Sequence, residues 1–313
     1  MEHASVLLNE TVDLLNVRPD GIYIDGTLGR GGHAAEVARR LTIGHLYAFD
    51  KDEQALKESA VNLSQWQDKV TLLHADFRNM REELEKYGID RADGVMMDLG
   101  VSSPQFDDPS RGFSYRFDTR LDMRMDLSQT LTAWDVVNRY SFQDLVRILK
   151  MYGEEPRAKA IARAIEKSRV AAPIDTTGQL TDVIRSALPE AVLRKKGHPA
   201  KQTFQAIRIE VNHELDALQE GMNEACTMLK VGGRCAVITF HSLEDRMVKN
   251  CFKTLSSAPF ADPKLPLKAS QMEQASFSLV TKHPVTAGEE ELEQNHRSHS
   301  AKLRVIERIK ETE

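Results

Sequence analysis

Four short apolar runs in the first hundred residues each end on an aspartate. They are Gly21-Ile22-Tyr23-Ile24-Asp25, His45-Leu46-Tyr47-Ala48-Phe49-Asp50, Val70-Thr71-Leu72-Leu73-His74-Ala75-Asp76 and Gly94-Val95-Met96-Met97-Asp98. Stretches with helical apolar spacing separate them, at 33–41, 53–63 and 79–87. Strands alternating with helices build a parallel sheet covered by helices on its faces. Open sheets of this kind bind ligands beyond the carboxyl ends of their strands. A doubly wound, mostly parallel α/β core is therefore expected, with four carboxylates gathered along its ligand-binding edge.

The pattern breaks after Asp98. Residues 107–125 are rich in Arg, Asp, Gly and aromatics and read as a long functional loop. From 132 to 211 the periodicity is helical only, punctuated by Gly153, Pro156, Pro173, Pro189 and Gly197-His198-Pro199. The sheet pattern resumes with a helix at 203–229, a Val231-Gly232-Gly233 turn and the strand Arg234-Cys235-Ala236-Val237-Ile238-Thr239-Phe240. Two further strand-like segments lie at 277–282 and 301–309. The expected organisation is a catalytic core of residues 1–106 and 213–313, interrupted by an all-helical domain at 107–212.

Charge follows the same division. Residues 107–212 carry 18 Lys and Arg against 14 Asp and Glu, whereas the rest carries 24 against 33. A basic insertion on an acidic core fits a module that faces a polyanion, and it also fits plain solvated helix faces. No run approaches the ~18 apolar residues of a membrane span, and Met1-Glu2-His3 opens no secretory signal. Cys226, Cys235 and Cys251 are odd in number without Cys-x-x-Cys spacing, so reduced thiols and a cytoplasmic location are expected. His296-x-x-His299 has no acidic or cysteine partner at ligand spacing, and no metal is expected.

The turn Asp25-Gly26-Thr27-Leu28-Gly29-Arg30-Gly31-Gly32-His33 follows the first strand and opens the first helix of the alternating pattern. Glycines let the backbone approach a ligand, and the helix N-terminus offers free N–H groups. Gly29-x-Gly31-x-x-Ala34 also fits a dinucleotide fingerprint, with Asp50 near the ribose-gripping distance, so a nicotinamide oxidoreductase competes. The set of acids favours S-adenosylmethionine. Asp25 can meet a cationic amino end where a pyrophosphate would be repelled, Asp50 can hold both ribose hydroxyls, and Asp76-Phe77 with Asp98 can wall an adenine. Acids at four successive strand ends resemble the motif series of class I methyltransferases.

Asp98-Leu99-Gly100-Val101-Ser102-Ser103-Pro104-Gln105-Phe106 follows the fourth strand directly. Class I enzymes that methylate base amino groups hold a Ser/Asp/Asn-Pro-Pro-aromatic loop here, and Ser103-Pro104-Gln105-Phe106 resembles it with Gln for the second Pro. A cytosine amine is a poor nucleophile because its lone pair is delocalised into the ring. A Ser oxygen and a loop carbonyl that accept its hydrogens pull the nitrogen towards a pyramidal form, and Phe106 can stack on an extruded base. By itself Ser-Pro-x-Phe is an ordinary turn.

With these pieces in order, the chain resembles the bacterial small-subunit ribosomal RNA methyltransferase H (MraW) family over nearly its full length. Further motifs carrying the resemblance are Arg111-Gly112-Phe113-Ser114, Leu121-Asp122-Met123-Arg124-Met125, Tyr152-Gly153-Glu154-Glu155, His198-Pro199-Ala200 and Phe240-His241-Ser242-Leu243-Glu244-Asp245-Arg246. The resemblance implies N4 methylation of a cytosine in the decoding region of 16S ribosomal RNA, within the small subunit, with S-adenosylmethionine as donor. It also implies cofactor contacts at Gly31, Gly32, His33, Asp50, Phe77, Asp98 and Gln105, to which the turn itself adds Asp25 and Gly29.

His241 follows the fifth core strand at the same edge and can face the target base or hold the Ser103 loop, while Glu244 and Arg246 brace the next helix. Arg111, Arg116, Arg120 and Arg124 can hold phosphates or pair with Asp118, Asp122 and Asp126. Arg194-Lys195-Lys196, free of interleaved acids, is the better phosphate-binding candidate. A non-catalytic ribosome-assembly factor that keeps the cofactor fold is the alternative from another class.

Overall fold

Near-continuous apolar runs in the core strands reflect burial on both faces of a sheet. In the computed structural model, which describes residues 5–100, 106, 108–258 and 275–311, they form one seven-stranded sheet of order β3-β2-β1-β4-β5-β7-β6. The strands are β1 Ile22–Asp25, β2 His45–Asp50, β3 Val70–His74, β4 Ala92–Asp98, β5 Leu229–Thr239, β6 Phe277–Leu279 and β7 Lys302–Arg308. β1 to β5 pair in parallel, and β7 runs antiparallel between β5 and β6. The chain winds outward from β1 in both directions, so the switch point lies between β1 and β4.

Alternate side chains feed two cores. Ile24, Val95, Met97 and Val237 pack on one face with Met80, Leu218 and Phe252. Tyr23, Met96, Ala236 and Ile238 pack on the other with Val12, Leu15 and Val37. Gly94 must lack a side chain, because a Cβ there would come within 2.9 Å of Leu15 and the Tyr23 ring. The helices serving this sheet are α1 Leu8–Leu15, α2 Gly32–Arg40, α3 Glu53–Asn62 and α4 Met80–Glu85.

The chain divides into two compact units, residues 1–100 with 216–313 and residues 101–215. The second is helical, with α5 Ala133–Arg139, α6 Phe142–Met151, α7 Ala158–Ala171, α8 Thr177–Ser186, α9 Glu190–Leu193 and α10 Lys201–Asn212. Capping boxes at Thr132/Asp135 and Thr176/Gln179 start α5 and α8. Its own core gathers Leu121, Val136, Ile148, Ile161, Leu180 and Ile207. Asn212 links α10 to the preceding loop, donating to the Met123 carbonyl and accepting from the Met125 amide, both at 2.7 Å.

Three details differ from the sequence expectation. The helix at 203–229 is two helices, α10 and α11 Glu214–Met228, parted by His213 in the left-handed region at φ 50°. The expected 231–233 turn lies inside β5, where residues 230–233 bulge out between the Ala92–Leu229 and Gly94–Arg234 pairs. The segment at 277–282 contributes only a three-residue strand. The last helices are α12 Ser242–Leu255 and α13 Glu289–Gln294.

Candidate functional site

The carboxyl ends of β1 and β4 bring Asp25 and Asp98 to the switch point, where they share a small cavity with Thr11, His33, Met96, Met97 and Ile238. Asp25 is 2% exposed, and its Oδ1 accepts the Thr27 amide at 3.0 Å. The Thr27 hydroxyl in turn accepts the Asp98 amide at 2.5 Å, which latches the glycine turn to β4. Asp98 Oδ1 is buried and accepts no hydrogen bond among the described residues. Its Oδ2 lies 3.7 Å from His33 Nδ1.

The turn takes its shape from two glycines in the left-handed region, Gly29 at φ 52° and Gly31 at φ 78°. Gly31 is the N-cap of α2, and a Cβ on it would come within 3.1 Å of Leu63. Gly32 is closed off by Ser5, which occupies the space a Cβ would need. At the end of β2, Asp50 accepts the Gly29 and Asp52 amides, each at 2.9 Å. A carboxylate has about four acceptor sites, so Asp50 keeps capacity for further donors.

Burial raises all three acids. Asp25 is pushed up to about 7 by burial, against the Thr27 hydrogen bond and with the nearby Asp50 charge adding to it. Burial takes Asp50 to about 6. Asp98 reaches about 8 through burial, then Asp25 and Glu244, although its side chain still presents 30% of its surface. Burial drives His33 the other way, to about 4, against the Val6 carbonyl 3.1 Å from its Nε2. A neutral imidazole beside carboxyls whose charged forms are penalised by burial makes a pocket that favours a cation or N–H donors.

Asp76 caps the turn after β3, accepting from the Arg78 amide and guanidinium, and Phe77 follows it. The Phe77 ring lies on Gly221, where a Cβ would sit 2.2 Å from its edge, and the chain of Phe77 also bounds Gly26. His241 is the N-cap of α12: its Nδ1 accepts the Glu244 amide at 3.3 Å, and Glu244 Oε2 accepts the Phe240 and His241 amides. His241 Nε2 sits 3.1 Å from Glu244 Oε1 without hydrogen-bond alignment. His241 thus has a bracing role at the helix start, as expected of Glu244. Thr27 and the Val6 carbonyl were not singled out in the sequence. Thr27 carried a local signal, a hydroxyl two residues past a strand-end acid, but Val6 carried none.

Of the methylation loop, Ser103, Pro104 and Gln105 lie outside the described residues. Phe106 is half-buried and packs on the core of the helical unit. Arg111 and Arg124 are committed within that unit. Arg124 grips Asp122 through two 2.8 Å bonds and donates to the Leu127 and Gln129 carbonyls. Arg111 donates to the Arg124 and Met125 carbonyls. Arg194, Lys195 and Lys196 are exposed; Arg194 has Glu190 at 3.7 Å, so the cluster is less free of acids than its sequence suggests.

This sheet order, with glycine turn and acids at the switch point, is a class I methyltransferase fold. The chain belongs to the MraW methylase family, which matches residues 1–309. It is similar to "Ribosomal RNA small subunit methyltransferase H" of Exiguobacterium sibiricum, 52% identical over 311 residues, covering 99% of each chain. It is likewise similar to the protein so named from Limosilactobacillus fermentum, 53% identical over 310 residues and 98% of each. Among solved structures, a putative rRNA-methylase from Clostridium thermocellum aligns with a TM-score of 0.45 at 13% identity, covering 98% of this chain and 100% of that one.

Proposed function

We propose that this protein transfers a methyl group from S-adenosylmethionine to the N4 amine of a cytosine in the decoding region of 16S ribosomal RNA. The observation that carries the cofactor assignment is the buried Asp98 Oδ1, which accepts no hydrogen bond among the described residues, beside Asp25 at the switch point. A pyrophosphate would meet repulsion there, whereas a ligand with a cationic amino end relieves the cluster. Of the turn's glycines only Gly29 has no atom nearer than 3.9 Å to where a Cβ would sit. The names of the relatives support small-subunit ribosomal RNA as substrate.

When bound, S-adenosylmethionine supplies an electrophilic methyl group on a cationic sulfur. Asp25 holds its amino end, Asp50 its ribose hydroxyls, and Phe77, Asp98 and Gln105 bound the remainder, with Gly29, Gly31, Gly32 and His33 shaping the turn. Ser103 and the Pro104 carbonyl accept the hydrogens of the target amine, and Phe106 stacks on the base. His241 keeps the far side of the edge fixed through its capping box with Glu244. A strong general base is unnecessary, because the methylated ammonium sheds its proton readily.

Isotopically labelled donor, purified protein and undermethylated small subunits test this reading, with the product mapped by mass. The expected result is label on the N4 of one cytosine, and a Ser103→Ala variant that loses turnover more than cofactor affinity. Binding to subunits without transfer would favour the assembly-factor reading. Label on another atom would overturn the cytosine-N4 assignment.

A further inference from the structure

The motif His198-Pro199-Ala200 has no part in the cofactor edge. In the helical unit it meets the end of another motif, Arg111-Gly112-Phe113-Ser114, which is followed by Tyr115. The His198 and Tyr115 rings stack with centroids 4.0 Å apart and planes within 6° of parallel. Tyr115 meets the buried Phe204 edge-on at 5.6 Å. The three rings form a graded column: Phe204 in the core, then Tyr115, then the partly exposed His198.

His198 is held as a neutral ring. The Ala200 amide donates to its Nδ1 at 3.3 Å, and burial followed by the nearby Arg185 charge lowers its pKa. A neutral flat ring backed by a tyrosine suits stacking on a base, whereas its charge would come only at the cost of the Ala200 bond. Arg185 is near enough to act on its charge, and four more cations flank it in the sequence. Arg185, Arg194, Lys195, Lys196 and Lys201 are all exposed, and between 191 and 209 the sequence holds no acid. Among the described residues no carboxylate pairs with Arg185, Lys195 or Lys196, and Arg194 has only the exposed Glu190 at 3.7 Å. Gly197, at φ 104°, turns the chain between the cations and the ring.

We infer that this patch is an RNA-docking surface: an unpaired base stacks on the His198–Tyr115 pair while Arg185, Arg194, Lys195 and Lys196 hold the flanking phosphates. Stacking platforms flanked by cations bind single strands with little dependence on sequence. The inference rests on the proposed RNA substrate and adds where that substrate is gripped. It also separates the basic residues of this unit by role: Arg124 and Arg111 build the unit, and the 185–196 group faces outward.

The test measures binding of the full-length protein to in vitro transcribed, unmethylated small-subunit ribosomal RNA across a salt series. Replacing Arg194, Lys195 and Lys196 together by Ala should flatten the slope of log affinity against log salt by about 2, at roughly 0.7 per lost phosphate contact. His198→Ala should weaken binding by about tenfold, the scale of one lost base stack. His198→Phe, which keeps a flat ring, should restore most of that loss and control for folding. S-adenosylmethionine affinity should be unchanged in every variant, and methylation should show a raised KM with unchanged kcat. Wild-type salt slope and affinity in the triple variant, or no rescue by Phe, would overturn the docking surface while leaving methyl transfer intact. Absence of RNA binding and methylation by the wild type would instead overturn the reading beneath it.

Discussion

The two units treat their charges in opposite ways. In the sheet unit, Asp25, Asp50 and Asp98 stand at the strand ends with backbone amides as the donors to Asp25 and Asp50 and, among the described residues, none to Asp98 Oδ1. In the helical unit the more enclosed acids have partners: Asp122 has Arg124, Glu210 has Tyr140 and Arg147, and Asp118 has the Gly178 amide. There the surplus is positive and exposed, at 185–196. Unsatisfied negative charge suits a small cationic cofactor, and unsatisfied positive charge suits a polyanion. The −9 and +4 balances of the two sequence segments are the trace of that division.

Asp98→Ala gives the largest expected break in this contrast. Loss of the orphaned acceptor should weaken S-adenosylmethionine about 100-fold or more, within the range for removing one partner of a buried charged contact. The ligand-free protein should become more heat-stable, because an acid whose charged form burial penalises is removed. Calorimetric titration and thermal melting read the two effects, and equal losses in both would mean that Asp98 merely holds the fold.

In the helical unit the opposite split is expected. Arg124→Ala should cost about 2–3 kcal/mol of stability through its charged hydrogen bonds, with RNA affinity falling only as the unit loosens. Arg194→Ala should leave melting unchanged and weaken RNA binding several-fold at low salt. Denaturant melts and binding isotherms on the two variants separate these roles. If the pattern were reversed, Arg124 would be the RNA contact and Arg194 the structural one.

Much of this contrast is legible in the sequence because it depends on short-range order. Strand-end acids and the glycine turn are local, and the doubly wound sheet follows from the alternation around them. What is hidden depends on distant partners. Nothing in Lys302–Arg308 itself fixes its antiparallel direction, which is set by its place between β5 and β6. Helical periodicity runs through His213 unbroken, although the backbone turns there into the left-handed region. The capping box at the start of α12 pairs His241 with Glu244, while Asp245 is taken by Lys302 and Arg304 of the distant β7. For Arg124 the sequence leaves phosphate contact and pairing with a neighbouring aspartate both open, and the Asp122, Leu127 and Gln129 partners decide for pairing.

A smaller effect distinguishes the units by pH. The folded pKa values of Asp25, Asp50 and Asp98, about 7, 6 and 8, lie above those of an unfolded chain. Their folded forms therefore keep protons that the unfolded chain sheds, and ligand-free stability falls as pH rises from about 4 and levels off above the folded values of about 6 to 8. His33, lowered to about 4, opposes them over the lower part of that window: its contribution is lost as pH falls from about 6.5 towards 4. Thermal melts of the ligand-free protein should decline between pH about 4 and about 8 and level off above it, and saturating cofactor should remove much of that decline.

The same linkage gives the most direct test of the cofactor edge: calorimetric titration at pH 7 with S-adenosylmethionine and with NAD, in two buffers of different ionisation enthalpy. The expected result is that S-adenosylmethionine binds with net release of protons, as the raised carboxyls ionise against its charge, and that NAD does not bind. Binding of NAD alone, or binding of S-adenosylmethionine with proton uptake, would contradict the assignment of Asp25, Asp50 and Asp98 to a cationic methyl donor.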